Sequence, residues 1–454
     1  MPLRDVFLLL FFVGSLPICF IKPFYGIILW TIIGFLNPQS FLWGFGANIP
    51  WAMVVAIPTL IGFLLFEPSV KGLKSREVNM ILILWGWFVI TSAISVSTPT
   101  LMHHSADTWF RLTFVSKILL MTLVMIPITR SFERLRMLIM VVSLSFGFFV
   151  AKAFPFVLLS GGSFRVYGPD HSMVADNNDL GLALNMTLPL FFFLAQSETK
   201  KWMKIMFASL FVMSVPVIFF TWSRGALVGL VVVFCFLLTF VPLKQRLVLI
   251  PIIVAGVAMA LMFAPEAWRH RMDPTRSDAI DASAQARLNV WQFARNLAAD
   301  YPIAGGGFGT FTPELFKEYG PPGQRAMAPH SVYFQLLAEH GYVGLSLYLA
   351  MLLSFFASAS KLVKEARKRG DDVIRQYAKM FQIGVIGFAA SGMFLGRAYF
   401  DYLFFFIACL VILKRIAADE WAYADSAALE EEEEAEEERL SEEPEHLNWN
   451  RAWS

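Results

Sequence analysis

Ionisable side chains interrupt an otherwise apolar stretch at residues 328–344, which read APHSVYFQLLAEHGYVG. His330 lies near the start of this stretch, and a neutral imidazole can accept a proton near pH 7. Charged and titratable groups beside membrane-like sequence are costly, and for that reason they are candidates for function. His330 is therefore a candidate general base. A structural histidine at the start of a helix is the alternative interpretation, and the sequence leaves it open.

Two further ionisable residues, Glu339 and His340, follow within the same apolar stretch. On a continuous helix with 3.6 residues per turn, Glu339 falls on roughly the opposite face from His330, so we do not expect these two side chains to be partners. For Glu339 and His340 we predict interhelical hydrogen bonds, with Gly341 and Gly344 allowing the helices to approach closely.

Basic residues on the outer side of the predicted spans form a second set of candidates, because the positive-inside rule predicts that arginine and lysine are depleted there. Arginine suits phosphate because its planar guanidinium stays charged and donates two parallel hydrogen bonds. Such a set would suit a lipid-linked diphosphate. The simpler interpretation is that each one pairs with a nearby aspartate or reaches the lipid headgroups. The candidates are Arg224, Arg287, Arg165, Lys152 and Arg397.

The acidic residues of the same face do not have the spacing of a metal site. Asp278 and Asp281 lie in a polar loop, and Asp176 and Asp179 flank two asparagines, without histidine or carboxylate partners at metal-ligand spacing. We therefore predict a reaction without metal or cofactor. The glycine-rich stretch GGGFG at 305–309 is a weak phosphate-binding signal, and we interpret it as a flexible connection.

The composition is that of an integral membrane protein. Of the 454 residues, 57% are hydrophobic and only 16% are charged. Long apolar runs separated by short polar loops predict an all-α, polytopic membrane protein and exclude a soluble enzyme. We expect contact with membrane lipids and no nucleic-acid partner.

A transmembrane helix needs about 20 mostly apolar residues. The first 37 residues form either one broken span or two short ones, which gives about twelve spans if they make one net crossing. The other predicted spans lie near residues 49–66, 79–97, 111–129, 137–158, 180–197, 203–221, 224–242, 246–264, 332–357, 377–395 and 398–414.

Basic loops determine the predicted orientation, because cytoplasmic loops are enriched in lysine and arginine. Five basic clusters fall at alternate ends of the spans, at 71–76, 130–136, 200–204, 244–246 and 361–369. This assigns both termini to the cytoplasm and the long segment 265–330, with a predicted helix at 284–300, to the periplasm. We divide the chain into membrane helices 1–264, the periplasmic segment 265–330, membrane helices 331–416 and a mobile or marginally helical acidic tail, 417–454.

Several motifs resemble the bacterial O-antigen ligase and polymerase superfamily of membrane glycosyltransferases. They are SRGA at 223–226, GGGFGTFTPE at 305–314 and HSVYFQLLAEHGYVG at 330–344. Four other stretches are similar to the O-glycosylation ligases of exosortase-bearing bacteria. These are GFLNPQSFLWGFG at 34–46, RVYGP at 165–169, DNNDLGLAL at 176–184 and AYFDY at 398–402. The resemblance covers nearly the whole chain except the acidic tail.

The resemblance implies a GT-C-like membrane enzyme that transfers a glycan from undecaprenyl diphosphate to the lipid A–core oligosaccharide, at the periplasmic face of the bacterial inner membrane. The transfer belongs to lipopolysaccharide biosynthesis. The family histidine corresponds to His330, and family arginines correspond to Arg224 and Arg287. Assignment of the other three basic residues to the diphosphate rests mainly on the phosphate argument above.

We accordingly expect an inverting, metal-independent O-antigen ligase with His330 as general base. A protein O-glycan ligase or an O-antigen polymerase that uses the same lipid-linked donor stays open, because the acceptor pocket cannot be read from motifs. A transporter of lipid-linked glycans is a further alternative. Transporters hold buried charges near the bilayer midplane, whereas the charges here gather at one face beside the long segment, which favours chemistry.

Overall fold

Helices account for all the regular secondary structure in the described part of the chain. The structure, a computed structural model, describes residues 3–272 and 277–442. The side chains of residues 277–284 and 440–442, and several side chains between residues 245 and 271, are not described. The first eight helices are α1 (Leu3–Ile21), α2 (Pro23–Phe35), α3 (Trp51–Phe66), α4 (Arg76–Ser97), α5 (Ser105–Ile128), α6 (Phe132–Leu159), α7 (Asn177–Ser197) and α8 (Lys201–Phe219).

The second half of the chain is built in the same way. It contains α9 (Arg224–Phe240), α10 (Leu243–Phe263), α11 (Glu266–Met272), α12 (Ser277–Asp300), α13 (Pro313–Tyr319), α14 (Val332–Lys368), α15 (Asp372–Ser391) and α16 (Asp401–Glu442). Short 3-10 helices lie at Pro38–Phe41, Phe45–Asn48, Met102–His104 and Gly392–Phe394. The predicted all-α class is confirmed.

The helices have the length and composition of membrane spans. Among the described residues, seven are long and apolar enough to cross a membrane, namely α1, α4, α5, α6, α7, α8 and α14. Helices α2, α3 and α9 and part of α10 are shorter but also apolar. The first 37 residues form two helices, because Pro23 cannot continue the α1 hydrogen-bond ladder and instead starts α2. The prediction of a polytopic membrane protein is confirmed.

Helix α7 lies at the centre of the bundle, where every residue from 180 to 194 is buried. Small residues let α9 pack against it, since a Cβ on Gly181 would lie only 2.5 Å from the Ala226 Cβ. The Asn185 amide donates to the Ala226 carbonyl at 2.7 Å and to Ser391 Oγ, at the end of α15, at 3.1 Å. These contacts fix the start of α9, where Arg224 lies, against α7 and α15.

The segment between α10 and α14 packs onto the start of α14. Trp291 on α12 stacks on Phe334 on α14, with ring centroids 4.8 Å apart. On the other side of α12, Phe293 stacks on Phe316 of α13 with centroids 4.6 Å apart. The predicted helix at 284–300 is confirmed within α12, and these aromatic contacts hold it beside the bundle.

The glycine-rich stretch is not a flexible connection, and that interpretation is wrong. Helix α14 is broken at Gly341, whose φ is +66°, so the carbonyls before the break accept from the glycine-rich loop. Gly306 N donates to Ala338 O at 2.8 Å, and Gly307 N donates to Glu339 O at 2.9 Å. Residues 304–310 are buried, and these N–H groups already have acceptors within the protein.

Helix α16 runs from the bundle through the acidic run to Glu442. Glutamate and alanine both favour helix, which explains the continuation. Arg369, at the end of α14, pairs with Asp425 at 2.8 Å, and Trp421 donates to Asp371 at 3.0 Å, so the first turns of the predicted tail are held against neighbouring helices. Residues 443–454 of the predicted tail lie outside the described residues.

Candidate functional site

A cavity of about 660 Å³ opens where α5, α7 and α14 begin. Its walls also include the glycine-rich loop and the loop 395–397. A cavity of this size is within the usual range for a ligand site. Its titratable and charged lining residues are His330, Glu339, Asp107, Arg111, Asp176, Asp179 and Arg397.

His330 lies just outside α14 in a backbone conformation that L-residues rarely adopt. Its φ is +45°, and Ser331 follows as the N-cap, with its Oγ accepting from Phe334 N at 3.5 Å. A neighbouring loop confines it, since a Cβ on Gly396 would lie 3.2 Å from His330 N and 2.6 Å from the Pro329 ring. Unusual backbone conformations persist where packing over-determines them, and they cluster at functional sites.

The surroundings of His330 favour its neutral form. Burial lowers the pKa of the imidazole, and the positive charge of Arg287 lowers it further, whereas Asp176 acts in the opposite direction. A base is active only when unprotonated, so a lowered pKa keeps His330 competent to accept a proton at pH 7. The predicted general base therefore lies in an environment that suits the role.

Arg287 interacts electrostatically with both Arg224 and His330, although the three residues are far apart in sequence. Burial lowers the pKa of Arg287, and the charge of Arg224 lowers it further, which shows that the two guanidiniums are electrostatic neighbours. Phe394 lies between their helices. The Arg287 guanidinium is 5.8 Å from its ring centroid, and a Cβ on Gly225 would lie 2.9 Å from the Phe394 Cβ. Two like charges held close together favour an anionic ligand.

Helices α7, α9 and α14 begin at this end of the bundle, as α5 does. Asn177, in the first turn of α7, donates to Thr221 O at 2.6 Å and so ties α7 to the turn before α9. A Cβ on Gly392 would lie 3.1 Å from the Val332 side chain, which shows how closely the end of α15 packs on the start of α14. Helix N-termini carry a partial positive charge that adds to that of the arginines.

Arg397 lines the cavity but already has an acidic partner. Its guanidinium forms an ion pair with Asp179 on α7, and the Asp179 side chain is only 8% exposed. Burial acts to lower the pKa of Arg397, but the ion pair with Asp179 and the charges of Asp176 and Asp401 together outweigh it, so the pKa is raised. The simpler interpretation, pairing with a nearby aspartate, applies to this residue. Its role at the diphosphate stays a prediction.

The other two predicted diphosphate ligands are not among the residues that line the cavity. Arg165 lies 5.6 Å from the ring centroid of Trp222, next to the turn that leads into Arg224. Lys152 is exposed on α6, with its ammonium 5.4 Å from the ring centroid of Phe41. Both assignments stay predictions. Arg165 contacts Trp222, which lies two residues before Arg224, whereas Lys152 contacts Phe41.

The interhelical hydrogen bond predicted for His340 is confirmed, whereas the one predicted for Glu339 is not found, because the partners of Glu339 lie in loops and on its own helix. His340 Nδ1 bonds to Thr91 Oγ1 on α4, and Nε2 bonds to the Tyr399 hydroxyl, both at 2.7 Å. Glu339 accepts from Tyr399 at 2.5 Å and from Gln335 and Gly309 N at 3.2 Å. The close approach predicted at Gly344 is present, since a Cβ there would lie 3.2 Å from Trp87 Nε1.

Glu339 nevertheless lines the same cavity as His330. The opposite-face argument does not separate the two residues, because it assumed one continuous helix. Helix α14 begins only at Val332, and the positive φ of His330 turns the backbone away from the helical path.

Sequence reasoning missed Asp107 and Arg111, which line the cavity from the first turns of α5. Arg111 Nε donates to Asp107 Oδ2 at 2.6 Å. The available signal was an aspartate and an arginine at i and i+4 near the start of an apolar run. Asp176 and Asp179 were noticed only as poor metal ligands, although both belong to the DNNDLGLAL stretch that carries the resemblance.

Within residues 3–272 and 277–442, no group of three or more histidine, cysteine, aspartate or glutamate side chains is arranged to hold a metal ion. The side chains of Asp278 and Asp281 lie outside the described residues. Metal-independent transfer stays a prediction.

Comparisons with known families divide the chain into two matched segments. Residues 208–349 match the family described as O-Antigen ligase, and this segment carries Arg224, Arg287 and His330. Residues 3–199 match a family of unknown function, DUF5935, and this segment carries Asp107 and Arg111. No curated protein matches the chain.

Proposed function

We propose that this chain, a member of the O-antigen ligase superfamily through its residues 208–349, transfers a glycan from undecaprenyl diphosphate to the lipid A–core oligosaccharide. The observation that carries the proposal is that His330 lines a cavity of ligand size and that Arg287, whose charge lowers the pKa of His330, is in turn affected by the charge of Arg224. The transfer takes place at the periplasmic face of the inner membrane, during lipopolysaccharide biosynthesis.

The orientation follows from the two ends of α5. Asp107 and Arg111 line the cavity near its start, whereas Arg130, which belongs to a basic loop, comes directly after its end. Basic loops stay in the cytoplasm, so the cavity end of the helices faces the periplasm. The segment 265–330 then lies on the periplasmic side, where α12 holds Arg287 over the site.

The proposed chemistry is a single displacement with inversion at the anomeric carbon. His330 takes the proton of the acceptor hydroxyl, whose oxygen forms the new bond to the anomeric carbon. The bond from that carbon to the diphosphate oxygen breaks, and its electron pair leaves with undecaprenyl diphosphate. Arg224 and Arg287 hold the diphosphate and stabilise the charge that develops on it, and the imidazolium then loses its proton to water.

The arginines supply permanent charge with bidentate geometry, which is the property that a leaving diphosphate requires. The start of α9 adds its partial positive charge at Arg224. We therefore propose that the transfer proceeds without a metal ion.

The direct test is reconstitution of the purified full chain with lipid-linked glycan and rough lipopolysaccharide, in the presence and absence of EDTA. We expect a ligated lipopolysaccharide in both conditions. His330→Ala should reduce the yield of product about 10²–10⁴-fold, whereas His103→Ala, at an exposed histidine outside the cavity lining, should leave it unchanged.

The products also separate the alternatives. Glycan appearing on protein would reassign the enzyme as a protein O-glycan ligase, and longer lipid-linked glycan would reassign it as a polymerase. Donor crossing the membrane without any new glycosidic bond would refute a transferase. Activity that is lost in EDTA and restored by magnesium would overturn the metal-free mechanism.

A further inference from the structure

We propose that the cavity beyond His330 is an acceptor subsite that binds a neutral, hydroxyl-rich sugar, with Asp107 and Arg111 as its polar contacts. This inference rests on the proposed glycan transfer and adds where the acceptor lies and what chemistry it has.

The charge of the lining argues against a phosphate in this cavity. Its carboxyl groups outnumber its guanidiniums by two, and burial together with the charge of Arg287 lowers the pKa of His330, which also lines it. A lining rich in carboxyl groups is a poor site for a diphosphate and suits hydroxyl groups, which accept and donate hydrogen bonds without net charge. The carboxylates are Asp107, Asp176, Asp179 and Glu339, and the guanidiniums are those of Arg111 and Arg397.

The cations that suit a diphosphate lie outside this lining. Arg224 and Arg287 are not among the residues that line the cavity, yet Arg287 acts on the His330 imidazole. Asp176, which does line the cavity, acts on the same imidazole with the opposite sign. His330 therefore lines the cavity with Asp176 and is also affected by the charge of Arg287, which lies outside that lining.

This arrangement matches the demands of an inverting displacement. The attacking hydroxyl and the leaving diphosphate lie on opposite sides of the anomeric carbon, and the base must contact the hydroxyl. With the diphosphate at Arg224 and Arg287, the acceptor approaches from the other side of His330. That side is the cavity.

Asp107 and Arg111 have the exposure that sugar recognition requires. Their side chains are 43% and 50% exposed, and the bond between them joins one guanidinium nitrogen to one carboxylate oxygen. An arginine has five N–H donors and a carboxylate has two acceptor oxygens, so the pair retains donors and acceptors for neighbouring hydroxyls.

The floor beneath this pair is rigid. Gly309 has a φ of +76°, and a Cβ there would lie 2.1 Å from Asp107 Oδ2, so only glycine fits. The Gly309 N–H donates to the carboxylate of the buried Glu339, which also accepts hydrogen bonds from Gln335 and Tyr399. A floor fixed by a buried network keeps the positions of Asp107 and Arg111 defined without ligand.

The residues proposed for transfer and those proposed for acceptor binding lie in different matched segments of the chain. His330, Arg224 and Arg287, which would perform the transfer, belong to the segment that matches O-Antigen ligase. Asp107 and Arg111 belong to the segment that matches a family of unknown function. We infer that this segment supplies acceptor selection.

The test measures binding of delipidated core oligosaccharide to the purified full chain in nanodiscs, without donor. We expect the wild type to bind dephosphorylated oligosaccharide at least as tightly as the phosphorylated form. Asp107→Asn and Arg111→Gln should each weaken binding about tenfold or more, as expected for one charge-assisted hydrogen bond. Asp170→Asn, at an exposed loop position outside the lining, is the matched control and should bind as the wild type does.

In transfer assays the same two variants should raise KM for the acceptor and leave KM for the donor unchanged. Unaltered oligosaccharide binding in folded variants, or absence of binding by the wild type, would overturn the subsite. A rise confined to the donor KM would assign the cavity to the donor glycan and would also overturn it. Oligosaccharide binding without any transfer would refute the proposed function and leave the subsite standing.

Discussion

The replacement Arg287→Ala tests both parts of the proposed site, because we propose that Arg287 holds the diphosphate and because its charge acts on the base. The guanidinium is partly buried on α12, close to Phe394 and to the charge of Arg224. It also contributes to the lowered pKa of His330. One substitution should therefore change both the rate and its dependence on pH.

The expected loss of rate follows from the environment of the contact. A charge-assisted hydrogen bond contributes roughly 1.5–3 kcal/mol, which corresponds to about ten- to a hundredfold in kcat/KM. Surface ion pairs contribute only about 0–1 kcal/mol. Since Arg287 is partly buried beside a second arginine, we expect the loss to fall in the former range. Arg287→Lys should restore part of the rate, because a point charge cannot reproduce the bidentate contact.

The expected change in pH dependence has a definite sign. The base is active when neutral, so activity falls as pH falls through the pKa of His330. Removing the positive charge of Arg287 raises that pKa toward its ordinary value. The acidic limb of the kcat/KM profile should therefore move to higher pH in Arg287→Ala and less in Arg287→Lys.

The assay is ligation in proteoliposomes over a range of pH, with Arg295→Ala, an exposed arginine on the same helix, as the matched control. The control should keep the wild-type rate and profile. A rate loss without movement of the acidic limb would show that Arg287 does not act on the base. A wild-type rate in Arg287→Ala would remove this residue from the site.

Three further predictions concern the base, the helix break and the tail. His330→Ala should reduce turnover about 10²–10⁴-fold while donor binding in nanodiscs persists, and loss of donor binding would indicate a structural role. Gly341→Ala should lower the unfolding temperature in detergent, because its backbone (φ +66°, ψ −171°) costs about 1–3 kcal/mol for an L-residue and its Cβ would lie 2.3 Å from Ile303 O. Gly86→Ala, which has open space, should be neutral. Truncation after Ala428 should keep activity within a few-fold, since the contacts of Asp425 remain, and complete loss in folded protein would contradict this.

Local patterns in the sequence determined the class of the fold and the principal candidates of the site. Apolar runs of sufficient length predict membrane helices because each helix satisfies its own backbone hydrogen bonds within lipid. Basic residues on the side of the membrane where they are normally depleted pointed to Arg224 and Arg287, and a histidine before an apolar helix pointed to His330. These inferences need only the neighbouring residues.

Contacts across long stretches of chain were decided by the tertiary structure alone. The pairing of Arg397 with Asp179 joins residues from different helices, and no periodicity predicts it. The glycine-rich loop looked flexible because its composition permits many conformations, but the break at Gly341 leaves carbonyls that bind it. The position of Asp107 in the cavity wall depends on the packing of α5 beside the glycine-rich loop. It could not be predicted from sequence, because a cavity forms between elements and not within any one of them.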